Sequence, residues 1–139
     1  MTRHIPILVA DNDKTEVFLL RRAFGKAGLT DILLDVSDGQ EAIDYLKGAA
    51  QFHNRFLYPL PSLLLLDLEM PGMDGFAVLE WLLTRSDLEA LPVVVLSSSN
   101  QEADIKRAKA LGADDYVVKP ADFDGMRSMA KDLVAHWLA

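Results

Sequence analysis

The sequence lacks cysteine, long apolar runs and an excess of basic residues. With no cysteine among 139 residues, disulfide frameworks and thiolate zinc sites are excluded. No apolar stretch approaches the roughly 20 residues that a membrane-spanning helix needs, and the N-terminal MTRHIPILVA does not resemble a secretory signal. The 21 acidic and 14 basic residues give a net charge of −7, which disfavours nucleic acid or anionic membrane as a partner. We therefore expect one cytoplasmic domain over residues 1–139 that binds proteins or cations.

Five short apolar runs alternate with helix-like segments along the chain. Each run is continuously apolar at its centre, which is typical of parallel strands covered on both faces. The five runs are IPILVA (5–10), DILLDV (31–36), SLLLLD (62–67), PVVVLS (92–97) and DYVVK (115–119). This β-α alternation predicts a three-layer, doubly wound α/β fold with right-handed crossovers.

Three local features support the predicted helices. Asp13-x-x-Glu16 has the spacing of a capping box, Ser37-Asp38 precedes the second helix, and Gly112 follows the fourth. The apolar period from Phe123 to Trp137 predicts a long fifth helix. Trp137 either closes the core or lies in a dimer interface, and the length and apolar character of Phe123–Trp137 favour the interface.

The connection before the third strand is unusually long. An insertion over about residues 49–61 exceeds the roughly 2–6 residues of ordinary αβ loops. It contains Phe52, Phe56, Leu57 and Tyr58. The insertion is either a loop anchored by its own aromatic residues or a surface that binds a partner, and we favour the anchored loop.

Acids, a hydroxyl and an amine follow the predicted strands. Asp11, Asp67, Ser97 and Lys119-Pro120 stand at four strand ends, and the carboxyl ends of parallel strands share one sheet edge. Two adjacent carboxylates require a proton or a cation between them. Because neither Cys nor His is at hand, Mg²⁺ fits best. A carboxylate, Mg²⁺, a hydroxyl and a lysine together favour phosphoryl transfer.

Three segments in this order resemble the receiver domain of two-component response regulators. They are LLLLDLEMPGMDG (63–75), VVVLSSS (93–99) and LGADDYVVKP (111–120). The resemblance covers essentially the whole chain and implies a flavodoxin-like fold with sheet order 2-1-3-4-5. Four features are similar to single-domain regulators that partner phytochrome-type histidine kinases: the FLLRRAF helix, the insertion, SSSNQEADI after the fourth strand, and the final HWL. The resemblance therefore implies a stand-alone signalling domain, without an effector domain, rather than an enzyme in the usual sense.

The resemblance also implies roles for individual residues. Asp67 would accept a phosphoryl group from a phosphohistidine of a sensor histidine kinase. Mg²⁺ would bind Asp11, Asp67 and the backbone carbonyl of Glu69, and Lys119 would pair with the phosphoryl group. Receivers of this kind also take phosphoryl groups from small donors and hydrolyse the acyl phosphate.

The remaining implied roles concern switching and the pocket wall. Ser97 would be the switch hydroxyl, and Tyr116 the aromatic residue that moves with activation, although Tyr116 is equally well read as an edge-strand aromatic. Pro120 would be the proline often preceded by a cis bond. Asn12 is read as a pocket-lining or turn residue. Ser98 would lie beside the phosphoryl group, although Ser98 and Ser99 could also be helix-cap or loop residues. A homodimer could form through the helix 4–strand 5–helix 5 face or the C-terminal region.

One departure from the family pattern stands at the first strand. Receivers usually carry two successive acids there, whereas Ala10-Asp11 offers one, so we expect weaker Mg²⁺ binding. Asp13 could supply the missing charge, but a helix N-cap is the favoured role. The isolated His4, His53 and His136 are read as surface or packing residues.

Two alternative functions remain open from the sequence. DNDKT (11–15) fits the signature of haloacid-dehalogenase-like phosphatases, with Asp11 as nucleophile and Asp13 as acid and base. That alternative gives Asp67 no role and lacks the later metal-binding acids. A degenerate receiver that binds partners without phosphorylation is the other alternative.

Overall fold

The architecture is a five-stranded parallel sheet between two layers of helices. A computed structural model describes residues 6–28 and 33–138. The strands are β1 (Ile7–Ala10), β2 (Leu33–Val36), β3 (Leu63–Leu66), β4 (Val93–Ser97) and β5 (Asp115–Val118). They lie in the order β2-β1-β3-β4-β5, as predicted. The first two residues of the predicted DILLDV run lie outside the described part, as does His4.

Five helices follow the strands. They are α1 (Lys14–Lys26), α2 (Gly39–Lys47), α3 (Gly75–Leu83), α4 (Glu102–Ala110) and α5 (Phe123–Leu133). Short 3₁₀ turns cover Ala50–Phe52 and Ser86–Leu88, and a π-helical turn covers Val134–Leu138. The predicted fifth helix thus ends as an α-helix at Leu133 and continues as a wider turn.

The sheet separates two apolar cores because successive strand side chains point to opposite faces. On β1, Leu8 and Ala10 join the core under α2, α3 and α4, whereas Ile7 and Val9 join the core under α1 and α5. The continuously apolar strands seen in the sequence are therefore buried on both faces, which explains their composition.

The helix termini use the residues that the sequence marks. Asp13 accepts hydrogen bonds from the backbone of Thr15 and Glu16, and Asp38 accepts one from Glu41. Gly112 follows α4 with a φ of +101°, a left-handed conformation that suits glycine. Asp13 is therefore the N-cap of α1.

Arg55 and aromatic packing fix the insertion. The Arg55 guanidinium donates hydrogen bonds to the backbone oxygens of Tyr45, Leu46 and Tyr58 at 2.8–3.1 Å. Phe52 and Tyr58 pack against Tyr45, with ring centroids 5.1–6.0 Å apart. The predicted aromatic anchoring is thus confirmed for these two rings.

Two apolar side chains of the insertion do not take part in that anchoring. Phe56 is 92% exposed and Leu57 is 60% exposed. Tyr45, beneath the insertion, is buried and donates a hydrogen bond to the Pro59 carbonyl, and burial raises the pKa of Tyr45 to about 12.

The C-terminal turn closes the core of the α1/α5 face. Leu138 is buried and Trp137 packs partly buried against that core. Trp137 therefore makes the core contact that was one of its two predicted positions, while the favoured dimer interface stays a prediction. Among the residues described, no helix has both the length and the apolar character needed to cross a membrane.

Candidate functional site

Backbone hydrogen bonds carry three of the predicted residues to one edge of the sheet. The Asp11 amide donates to the Val36 carbonyl at 3.0 Å, and the Asp67 amide donates to the Ala10 carbonyl at 3.0 Å. The Lys119 amide donates to the Ser97 carbonyl at 2.8 Å. Each bond extends a parallel ladder by one residue beyond its strand. The three side chains are therefore positioned by the sheet rather than by flexible loops.

The side chains of these three residues also share one face. Val9, Leu65 and Val117 all belong to the core beneath α1 and α5. Asp11, Asp67 and Lys119 each lie two residues further along, so the alternation of side chains directs them toward the same face. That face brings them beside the first turn of α1.

Lys119 joins three carboxylates in a nearly buried cluster. Its Nζ lies 3.0 Å from Asp67 Oδ2, 3.4 Å from Asp11 Oδ2 and 2.9 Å from Glu16 Oε2. Asp11 is 2% exposed and Asp67 6%. The ammonium group has three hydrogens to donate, so each carboxylate can receive one.

Burial and mutual repulsion strain the acids of this cluster. Burial raises the pKa of Asp11, and the nearby Asp67 charge acts in the same direction. Burial likewise raises the pKa of Glu16. For Lys119 burial alone would lower the pKa, but hydrogen bonds to Glu16 and Asp67 outweigh it and raise the pKa. Three carboxylates and one ammonium leave the pocket with an excess of two negative charges when all are ionised.

The backbone around Asp67 is tightly packed. Asp67 Oδ1 accepts a hydrogen bond from the Glu69 amide at 3.1 Å, and the Gly75 amide donates to the Leu68 carbonyl at 3.1 Å. A Cβ at Gly75 would overlap the Asp67 carbonyl oxygen and the Leu68 Cα. Glycine at this position therefore lets the start of α3 approach the residue at the centre of the site.

The donor chemistry of the cluster fits Mg²⁺. The described residues include no group of three or more His, Asp or Glu side chains arranged to enclose a metal. Mg²⁺ commonly takes only one or two carboxylates and keeps several waters. Asp11 and Asp67 supply two such carboxylates, and their excess negative charge at this edge favours a small divalent cation.

Ser97 and Tyr116 belong to a second hydrogen-bonded group beside the acids. Ser97 is fully buried, and its Oγ accepts a bond from the Ser99 amide at 3.1 Å. The Tyr116 hydroxyl donates to the Ser99 carbonyl at 2.8 Å, while Ser99 Oγ donates to Asp104 of α4. Ser99, which the sequence offered only as a cap or loop residue, thus connects Ser97, Tyr116 and α4.

The other predicted pocket residues lie at the rim. Asn12, Ser98 and the side chain of Glu69 are exposed, and Pro120 is half-buried. The expected cis bond before Pro120 is wrong, since the described part of the chain contains no cis peptide.

Ala10 stands where the family pattern expects the first of two acids, and the weaker Mg²⁺ binding expected from this replacement stays a prediction. Ala10 is fully buried among the apolar residues under α2 and α3. Its side chain lies on the face of the sheet opposite that of Asp11, as the alternation of side chains along a strand requires. Asp11 is therefore the one carboxylate that the end of β1 brings to the pocket.

Glu16 is the site residue that sequence reasoning missed. The capping-box spacing assigned its carboxylate to the Asp13 amide, but that amide donates instead to Asp11 Oδ1 at 2.8 Å. Glu16 is free to reach Lys119. The available clue was the alternation of side chains along the strands, which directs Asp11 and Lys119 toward the face covered by α1.

Comparison with known proteins decides the family. Residues 7–131 match the response regulator receiver domain. The chain belongs to the response regulator receiver family. The phosphatase alternative is therefore wrong, and the position of Asp13 agrees, because its carboxylate caps α1.

Individual relatives give the same result. The chain is 33% identical to the probable methanogenesis regulatory protein FilR2 of Methanothrix harundinacea, covering 95% of this receiver and 83% of that protein. It is 29% identical to the response regulator Rcp1 of Synechocystis sp., covering 95% and 88%.

Solved structures include regulators described with phytochromes and red light. The phosphorylated cyanobacterial phytochrome response regulator RcpA has a TM-score of 0.89 at 31% identity, covering 99% of this receiver and 96% of that chain. The response regulator RPA3017, in red light signalling of R. palustris, has a TM-score of 0.90 at 32% identity, covering 96% and 94%.

Proposed function

We propose that Asp67 accepts a phosphoryl group from a sensor histidine kinase in the presence of Mg²⁺, and that the receiver passes the signal to protein partners by a conformational change. The observation that carries the proposal is the Lys119 Nζ at 3.0 Å from Asp67 Oδ2, inside a pocket that has an excess of carboxylates. A nucleophilic carboxylate beside a fixed cation suits the transfer of an anionic group.

Side chains of the pocket would supply both the nucleophile and the positive charge that the transfer needs. An Asp67 carboxylate oxygen attacks phosphorus and forms an acyl phosphate, while the phosphorus–nitrogen bond of the phosphohistidine breaks and its electron pair returns to the imidazole. The Glu69 amide on Asp67 Oδ1 holds the carboxylate in place. The Lys119 ammonium offsets negative charge on the phosphoryl oxygens.

Mg²⁺, when bound, would neutralise charge between the phosphoryl group and the carboxylates. Asp11, Asp67 and the backbone carbonyl of Glu69 would hold it. Asn12 and Ser98 stand exposed at the rim, where they would border the incoming donor.

The second hydrogen-bonded group supports a switching role for Ser97 and Tyr116. If the Ser97 hydroxyl turns toward a phosphoryl group, its bond to the Ser99 amide is lost. Ser99 also accepts from Tyr116 and donates to Asp104, so a shift of this segment would move α4 and Tyr116 together. The change is a population shift that differential contacts to the phosphoryl group would drive.

The relatives' descriptions suggest the donor. RcpA is described as a phytochrome response regulator, and RPA3017 is described in red light signalling. We infer that a phytochrome-type histidine kinase is the donor for this receiver. A homodimer through the α4–β5–α5 face or the C-terminal turn is part of the same proposal.

Phosphotransfer from purified kinases tests the proposal. A phosphorylated phytochrome-type kinase, the receiver and Mg²⁺ are mixed, and label on the receiver is followed over time beside Asp67→Asn. We expect rapid transfer to the parent chain and none to the variant. Equal labelling of both chains would overturn the assignment of Asp67, and failure of any histidine kinase or small phosphodonor to label the parent would support the degenerate receiver instead.

A further inference from the structure

Glu16 makes a short contact with Lys119 that the proposed phosphoryl transfer does not require. Its Oε2 lies 2.9 Å from Nζ, whereas the Asp11 contact is 3.4 Å. The side chains of Glu16 and Lys119 are only 16% and 14% exposed. Water therefore screens this pair less than it screens a surface ion pair.

The local structure of α1 builds this contact. Asp13 caps the helix by accepting from the Glu16 amide at 3.2 Å, which fixes the backbone of Glu16 in the first turn. The Asp13 amide is occupied by Asp11 Oδ1, so the Glu16 carboxylate has no capping role to fill. It extends across the face shared by the strand ends and meets Lys119.

Because of this contact, the ammonium group of Lys119 is shared among three carboxylates. Glu16, Asp67 and Asp11 are within 2.9–3.4 Å of Nζ, and the ammonium has three hydrogens. A phosphoryl group on Asp67 would need a share of the same donors. Glu16 therefore competes with the phosphoryl oxygens for Lys119, and it adds one negative charge against an incoming anion.

The same carboxylate changes the field at the cation side of the pocket. The end of β1 contributes only one carboxylate, Asp11, because Ala10 stands where a second acid is expected. Glu16 returns a negative charge to the pocket from the neighbouring helix. A divalent cation held by Asp11 and Asp67 would be attracted by that charge.

We propose that Glu16 is a positioning residue that holds Lys119 partly away from the phosphoryl group and strengthens Mg²⁺ binding. The inference rests on the proposed function of Asp67. Glu16 thus slows phosphorylation while it supports the cation, and its removal shifts the two properties in opposite directions.

Glu16→Gln tests the inference because it removes the charge and keeps the length of the side chain. Two quantities are measured: the rate constant of phosphorylation by acetyl phosphate at saturating Mg²⁺, and Mg²⁺ affinity by isothermal titration calorimetry without any phosphodonor. For Glu16→Gln we expect the rate constant to rise and the Mg²⁺ affinity to fall, each by at least about threefold.

Glu89→Gln is the matched control. Glu89 is exposed just before β4, at the edge of the sheet opposite the pocket, so this variant removes the same net charge without touching the site. Both quantities should match those of the parent. A merely structural role for Glu16 would change the unfolding midpoint and leave both quantities unmoved, which would overturn the inference.

The outcomes separate this inference from the proposed function. If the parent gains no phosphoryl group from either acetyl phosphate or a histidine kinase, the proposed function fails. If the parent is phosphorylated and Glu16→Gln behaves like the parent, or if its two quantities shift in the same direction, only the role of Glu16 fails.

Discussion

At the scale of single residues, the negative charges of the pocket lower the stability of the folded protein. Asp11 and Asp67 are almost completely buried side by side, and the single ammonium of Lys119 contacts both while also serving Glu16. Buried carboxylates that share one cation disfavour the folded state when all are ionised. Their retention is understandable if a divalent cation and an anionic group use the site.

Removal of one acid should stabilise the metal-free protein. In Asp11→Asn at pH 7 without Mg²⁺, we expect the free energy of unfolding to rise by about 1 kcal/mol, because a desolvated charge and its repulsion from Asp67 are lost. Urea unfolding measures the change. Asp124→Asn, at the exposed start of α5, is the control and should differ little from the parent.

The pH dependence of this gain follows from the direction of the pKa shift. Burial raises the pKa of Asp11 above its ordinary value of 3.8, so the folded state binds a proton before the unfolded state as pH falls. The parent's penalty is therefore present at neutral pH and is relieved toward pH 4. An advantage of Asp11→Asn that grows as pH falls would contradict the expected sign.

At the scale of elements, the start of α3 determines how accurately Asp67 is held. A Cβ at Gly75 would overlap backbone atoms of Asp67 and Leu68, and backbone cannot move aside as a flexible side chain can. The glycine in the MPGMDG segment is therefore a packing requirement of the site, in addition to being the first residue of the helix.

Gly75→Ala should damage both stability and chemistry. We expect a loss of about 1–3 kcal/mol in the free energy of unfolding, measured in urea, and slower phosphorylation by acetyl phosphate because Asp67 is displaced. Gly25→Ala in α1 is a matched control, since a Cβ there meets open space, and it should stabilise by about 0.5–1 kcal/mol. Normal phosphorylation of Gly75→Ala would show that Asp67 tolerates the displacement.

Arg55 links the C-terminal end of α2 to the insertion through hydrogen bonds to both. Two of its acceptors, the Tyr45 and Leu46 carbonyls, belong to the last turn of α2, where few backbone donors remain for the carbonyls; the Tyr45 carbonyl also accepts from the Gly48 amide. Because the guanidinium is planar and presents several donors, it can bridge these groups in a way that a lysine cannot.

Loss of Arg55 should loosen the insertion and leave the pocket intact. For Arg55→Ala we expect a fall of about 2 kcal/mol in the free energy of unfolding and faster amide hydrogen exchange over residues 49–61. Arg127→Ala, which removes an exposed pair with Asp124, should have a minor effect. Unchanged exchange in the insertion would mean that the aromatic packing alone holds it.

The sequence predicted the elements well where a single physical rule governs them. Continuous apolar strands followed from burial on both faces, and Asp13, Asp38 and Gly112 marked helix ends through local hydrogen bonding and backbone conformation. The insertion was predicted because its length exceeds that of ordinary αβ loops. Its path depends on Arg55, whose acceptors are set by tertiary contacts and cannot be read from local pattern.

At the scale of the whole molecule, the site is connected to the surface through Ser99. This residue contacts Ser97, Tyr116 and Asp104, and so joins the buried end of β4 to β5 and α4. A change at the edge of the sheet that carries Asp67 would reach the α4–β5 surface by this route.

Tyr116→Phe should weaken that connection. Loss of the hydroxyl bond to Ser99 removes about 1 kcal/mol of stability, and the amide chemical-shift changes in α4 on phosphorylation should become smaller. Nuclear magnetic resonance spectra of both chains with and without acetyl phosphate and Mg²⁺ measure this. If α4 responds fully in the variant, the tyrosine does not carry the change.

The site was only partly predictable because it is assembled from distant segments. Asp11, Asp67 and Lys119 could be brought together from the rule that parallel strands end at one edge, and they are in contact. Glu16 was missed because a local capping rule competed with a long-range contact to Lys119.

The most direct test locates the phosphoryl group on the chain. The receiver is incubated with acetyl phosphate and Mg²⁺ and treated with borohydride, which reduces an aspartyl phosphate to the alcohol, and its peptides are then mapped by mass spectrometry. We predict a single reduced residue, Asp67, and none in Asp67→Asn. Reduction at Asp11 instead, or phosphoryl mass on the intact parent with Asp67 unmodified, would contradict the account.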